Sequence, residues 1–267
     1  MKRFVLPVLV LLSLFSMAAG AQNRSGQQQS VSSTSSTAAQ PEMTPLQLAE
    51  MRADILAARK MYPEAISSYE KLVKQEPQNA VLLNKIGVTC VSSGQRGCAE
   101  KYFKKAIKAD KVYASPFNNL GTIEYDKKHY KKAIELYGKS LELHMDKPAT
   151  VYMNLGYAYF GNKQFPEAMG AFQQAISIDP KVFQDAGGFG SIVEDRRTND
   201  PAVFYFFLAR TYAQFGDAER TAHYLKMARD DDYKKLGSAK TDPMFSKVIN
   251  DPQVQQVLTP APAHKPH

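Results

Sequence analysis

Cys90 and Cys98 are the chain's two cysteines, and thiols at that spacing could form a bridge, bind a metal or react as a nucleophile. Two thiolates are half of a tetrahedral zinc site, and no histidine pair lies near them to supply the rest. They flank a short turn between two helical segments. A disulfide and two packed thiols both fit, because the Cα separation that a bridge requires is not encoded in spacing.

Other candidates for chemistry disperse in the same way. His129, His144, His223, His264 and His267 never fall at the i, i+4 spacing that puts two imidazoles on one helical face, so all five read as solvated surface. "GGFG" at Gly187–Gly190 has glycines for a phosphate cradle but no Lys-Ser or Lys-Thr after it. No Ser-His-Asp order, paired carboxylates or cofactor fingerprint emerges. The expectation is a protein that is not an enzyme and uses no metal or cofactor.

The runs "KYFKKAIKADK" (Lys101–Lys111) and "DKKHYKK" (Asp126–Lys132) are dense in lysine. They read first as solvated helix faces, with docking on an anionic surface as the alternative. The chain's formal charge is +8, of which Lys2 and Arg3 contribute two. The remaining lysines are scattered along the chain, and no nucleic acid is expected as a partner.

Lys2, Arg3, an apolar run from Phe4 to Phe15 and the small residues Ala19, Gly20 and Ala21 have the order of a secretory signal peptide. Residues 1–21 are therefore expected to be cleaved before Gln22. The apolar run is shorter than the ~20 residues a spanning helix needs, so no stable membrane insertion is expected after cleavage, and the location expected is periplasmic or secreted. Residues 22–41 are rich in Ser, Thr and Gln, with little to bury, and read as a disordered linker. Residues 259–267 read as a loose tail.

Between these ends the chain repeats itself. Ala65, Ala99 and Ala133 recur every 34 residues and Ala168 follows after 35, and Tyr69, Phe103, Tyr137 and Phe172 lie four residues beyond each. Ala53, Gly87, Gly121 and Gly156 form a parallel series upstream. Spacings of three, four and seven put one stripe on one helical face, so each period reads as two helices joined by a short turn. Small residues mark where the helices cross, and aromatics fill the space beside them. Pro77 and Pro180 close units, since a residue without an N–H ends a helix.

This pattern resembles the tetratricopeptide repeat, most fully in "NLGYAYFGNKQFPEAMGAFQQAISIDP", where Leu155, Gly156, Tyr159, Ala168, Phe172, Ala175 and Pro180 all stand in register. The third unit departs from it with Glu124 at a position usually aromatic, and the first with Arg52 and Ala53 for Leu-Gly. A fifth unit places Leu208, Ala209, Tyr212, Thr221, Leu225 and Ala228 in register after about 19 extra residues.

The resemblance implies an all-α fold, a right-handed superhelical array over residues 42–235. Its units are expected at about 46–79, 80–113, 114–148, 149–181 and 202–235, interrupted by an inserted loop at 182–201. Phe183, Phe189 and Ile192 give that loop apolar surface with which to fold over one rim. In "TDPMFSKVIN" and "NDPQVQQVL" an Asp before Pro signals a helix start, so 236–258 is expected to be a helical cap over the last unit.

In this family the first helices line a concave groove. Residues just before the Leu-Gly pair are implied to face it, here Met51, Lys85, Asn119, Asn154 and Phe207. Asn84, Asn118, Thr122, Tyr125, Tyr157, Phe160 and Arg210 lie further round the same helices. Asn119 and Asn154 resemble an asparagine ladder that reads peptide main chain, since an amide offers donor and acceptor together. A carboxylate clamp needs Lys and Arg on successive first helices, and only Lys85 approximates one. The function implied is a scaffold holding a protein or peptide, with a structural, self-associating subunit as the alternative.

Overall fold

The computed structural model describes residues 43–183 and 200–259. The expected signal segment and linker lie outside these residues, as do Phe189, Ile192 and most of the inserted loop and tail.

The described chain is helical, with no strand among the described residues. Its first ten helices pair as hairpins: α1 (Pro45–Ala58) with α2 (Tyr62–Gln75), α3 (Ala80–Ser92) with α4 (Arg96–Ala109), α5 (Ser115–Asp126) with α6 (Tyr130–Glu142), α7 (Pro148–Gly161) with α8 (Phe165–Ile178), and α9 (Pro201–Gln214) with α10 (Ala218–Asp230). Each hairpin turn contains one residue in the left-handed region. It is a glycine at Gly94 (φ 77°) and Gly216 (φ 74°), but a lysine at Lys60, Lys128 and Lys163.

The small and aromatic series meet between the paired helices. Ala65, Ala99, Ala133 and Ala168 are fully buried, and so are Phe103, Tyr137 and Phe172. Gly87, Gly121 and Gly156 lie against those three rings in turn, where a Cβ would collide with the aromatic. Small residues are thus required by the approach of a ring from the second helix.

The core changes character along the stack. Around α1–α4 it is mainly aliphatic, with Leu72, Leu82, Leu83 and Ile86. From α7 to α9 it is aromatic: Phe172 has ring neighbours Tyr157, Phe183, Phe204 and Phe207 at 5.3–6.2 Å. Phe183, at the start of the insertion, is buried in this set.

The last hairpin is covered by two 3-10 segments, Leu236–Lys240 and Pro243–Phe245, and by α11 (Pro252–Leu258). Asp242 and Asp251 cap as their sequence signals required, accepting from Met244 N–H at 3.0 Å and Gln253 N–H at 2.9 Å. The first of the two expected cap helices is only the three-residue turn Pro243–Phe245. Phe245, Val248, Val254 and Leu258 bury against α10 and its neighbours.

Candidate functional site: the amide row of the first helices

Helices α3, α5 and α7 each place asparagine on a side facing a neighbouring first helix. Asn119 Nδ2 donates to Asn84 Oδ1 at 3.0 Å, and Asn154 Nδ2 donates to Asn118 Oδ1 at 3.0 Å. Asn118 Nδ2 reaches Asn119 Oδ1 at 3.4 Å, and Asn84 Nδ2 reaches the Tyr113 hydroxyl at 3.3 Å. The four amides form one row across three repeats, and all are buried. Each rung spans 35 or 36 residues of sequence, one repeat of the stack.

The other candidates divide. Thr122 is turned into the α5–α6 seam, where its hydroxyl donates to Asn118 C=O at 3.2 Å and accepts from Tyr137 at 3.2 Å. Tyr125 packs edge-on to Tyr130, 5.4 Å between centroids. Tyr157 stacks on Phe204 at 5.0 Å, and Phe160 sits among Phe165, Phe204 and Phe207. The contacts of Tyr157 and Phe160 with Phe204 and Phe207 join the fourth repeat to the fifth. Phe207 is buried among them, and Met51 is exposed on α1.

Lys85 is held by acids of the first repeat. Its Nζ lies 2.7 Å from Glu50 Oε1 and 2.8 Å from Asp54 Oδ2, and Asp54 also accepts from the Tyr69 hydroxyl at 2.5 Å. Burial alone would lower the Lys85 pKa, but the hydrogen bonds to Asp54 and Glu50 outweigh it and the net shift is upward. Burial first, then the bond to Asp54, pushes the Tyr69 hydroxyl up as well. A lysine facing two carboxylates is a poor anchor for the carboxylate of a partner. Arg210 is likewise engaged, 2.7 Å from Asp242 of the cap.

Two features escaped the sequence pattern, one polar and one apolar. Glu124 has a side chain 1% exposed and is bonded to Lys132 Nζ at 3.0 Å and His129 Nδ1 at 2.9 Å. His129, exposed as expected, is also hydrogen-bonded to Glu124 across the α5–α6 turn. Val81 is an exposed apolar residue one turn before Asn84 and Lys85 on α3. Cys90 and Cys98 are joined as a disulfide linking α3 to α4, with a Cα–Cα distance of 5.8 Å. No group of three or more potential metal ligands occurs among the described residues. No described helix is long and apolar enough to cross a membrane.

Comparison with known proteins places these helix pairs. Residues 80–113 and 114–143 match one tetratricopeptide repeat model, and residues 149–182 match another. The heat-shock protein cognate (HSC) co-chaperone of Aspergillus fumigatus is 32% identical over 85 residues, which is 32% of this chain and 25% of that protein. The chain thus spans about a quarter of the length of the curated relative it matches. Among solved structures, MamA is similar at 22% identity over 71% of this chain and 93% of its own, with a TM-score of 0.50. The PilF protein of Pseudomonas aeruginosa is 15% identical, over 79% of this chain and 95% of its own, with a TM-score of 0.52. PilW, described as a widely conserved type IV pilus biogenesis factor, is 15% identical over 82% of this chain and 100% of its own, also with a TM-score of 0.52. These structural likenesses establish the fold.

Proposed function

We propose that this chain, whose central units are tetratricopeptide repeats, is an exported scaffold that holds an extended peptide or partner segment along the amide row of its first helices, in envelope assembly or secretion. The repeats support a role in protein–protein interaction, and the row, although only 0–7% exposed, runs along the first helices on which a partner would lie. The carrying observation is the rung-to-rung bonding of Asn84, Asn119, Asn118 and Asn154. A bound main chain must open a rung to reach these buried amides, and rotamers already fixed by the row lower the ordering cost of that exchange. Such a row suits main-chain amides, which recur in every peptide, so specificity is left to neighbouring side chains.

The neutralised Lys85 argues that the partner is not selected by a terminal carboxylate. Export is supported by the signal-like order of residues 1–21. The test is the Asn119→Ala/Asn154→Ala double variant in a pull-down from the native envelope. Capture should weaken by about tenfold, a loss of ~1.4 kcal/mol, while circular dichroism keeps its helical form. Unchanged capture would remove the row from the binding surface.

A second reading has an observation of its own. Met43 and α1 residues Leu48, Met51 and Ile55 are exposed apolar side chains at the α1 end of the stack among the described residues, which favours a structural subunit that associates with itself. Solution mass measurement separates the two: a stable large homo-oligomer supports the structural account, and a monomer removes it.

A further inference from the structure

We propose that the outer face of α4, together with the α5–α6 turn, docks peripherally on an anionic phospholipid surface. Residues 96–132 contain ten Lys and Arg against four Asp and Glu, so most of the chain's surplus charge of +8 arises in this one stretch. Residues 149–183 contain two of each sign. The polarity of the stack is therefore built in and is not an average over its surface.

The fold sorts these charges by depth. Ala99, Phe103 and Ala106 bury one side of α4, and Lys101, Lys104, Lys105 and Lys108 recur at spacings of three and four on the opposite, exposed side. The acids lie beneath. Glu124 is 1% exposed, Asp126 11% and Glu100 23%. Glu100 is already bound to Lys104 Nζ at 2.6 Å and Lys127 Nζ at 2.5 Å, and Glu124 to Lys132 at 3.0 Å.

Lys101, Lys105, Lys108, Lys128 and Lys131 carry no ion pair within the described residues and are exposed. Lys101 and Lys105 flank the Tyr102 ring, with Nζ 5.7 and 5.1 Å from its centroid. At the far end of α4, Lys111 is followed by Val112, which is 72% exposed.

The chemistry of the face selects its partner. Every unpaired cation named is a lysine, a hydrated point charge on a flexible stem, where bidentate recognition of a fixed phosphate or carboxylate would call for arginine. The charges form a stripe along a helix with no cradle, and so fit a diffuse anionic plane better than a discrete ligand. Val112 at the rim supplies one apolar contact for the interface. Because this face is on the second helices, docking leaves the amide row untouched and does not depend on what that row binds.

The test uses the full chain and sedimentation with vesicles of phosphatidylcholine alone or with about one quarter phosphatidylglycerol. Binding should be stronger with phosphatidylglycerol, and that gain should be lost at about 0.5 M salt, where screening reaches a few ångströms. Lys101→Glu/Lys105→Glu/Lys108→Glu should weaken it by at least about tenfold, whereas the remote Lys226→Glu/Lys235→Glu should leave it unchanged. The apolar stretch at residues 4–15 is common to every protein compared, so the contrasts between vesicles and variants cancel its contribution. If circular dichroism finds the triple glutamate variant unfolded, the corresponding triple glutamine variant decides, with the same direction expected. Equal binding to both vesicles, an unaffected triple variant, or binding to polyglutamate but not to vesicles would each overturn the proposal.

Discussion

A methyl group added to Gly121 would lie 2.7 Å from Cε1 of Tyr137, well inside van der Waals contact, so the ring on the second helix dictates the missing side chain on the first. The same relationship links Gly87 to Phe103 and Gly156 to Phe172. Gly121→Ala should destabilise by about 1–3 kcal/mol through overpacking. Gly170, in the exposed part of α8, has nothing within 4 Å of an added Cβ, so Gly170→Ala should stabilise by about 0.5–1 kcal/mol through helix propensity. Denaturant melts of the two variants check the opposite signs.

Acid should weaken the second and third repeats through Glu100 and Glu124. Lys104 and Lys127 hold the Glu100 carboxyl at about 2, below its ordinary 4.5. Burial would raise Glu124, but the bonds from His129 and Lys132 outweigh it and lower its pKa. A carboxyl whose pKa is lower folded than unfolded contributes stability above its unfolded value, and loses it as pH falls towards the folded one. Glu124→Gln should therefore cost about 1–3 kcal/mol at pH 7, and the difference from wild type should shrink as pH falls below about 4.5. Thermal melts across that range read it directly; a pH-independent difference would sink this role for Glu124.

Reduction should act on the second repeat. Cys90 and Cys98 close a loop with a sequence separation of 8, for which chain entropy gives about 2–3 kcal/mol of stabilisation. Protein purified without reductant should show no reactive thiol when denatured and should lose melting temperature on reduction. Two titratable thiols would place the native protein in the reduced form.

The repeat was legible because close packing repeats with it: wherever a ring crosses, only a small residue fits, and both recur at 34 or 35 residues. Turns were legible from their polarity, though not that lysine would take the left-handed position at Lys60, Lys128 and Lys163 in place of glycine. The lining was less so. Thr122, Tyr157 and Phe160 share faces with groove positions, yet the ring cluster of Phe172, Phe204 and Phe207 between α7, α8 and α9 draws the two aromatics inward, and the Tyr137 hydroxyl takes Thr122. The rungs of the amide row join residues 35 and 36 apart, so no local window displays them. Glu124 could have been suspected from its departure from an aromatic position, but its pairing with His129 depends on the turn between them.

Self-association has its own check. Leu48→Lys/Ile55→Lys charges the exposed side of α1 without touching its buried Ala53. If α1 mediates association, the solution mass should fall to that of one chain; if the stack is a monomeric scaffold, the mass should not change.

The most direct test of the scaffold account is a photoreactive phenylalanine analogue at Val81, exposed on α3 one turn from Asn84 and Lys85, activated in the native host and followed by mass spectrometry. Binding along the amide row predicts a crosslink to a distinct protein that falls by about tenfold when Asn119→Ala and Asn154→Ala are added. Crosslinks only within the chain or to a second copy, or a crosslink indifferent to those two substitutions, would contradict it.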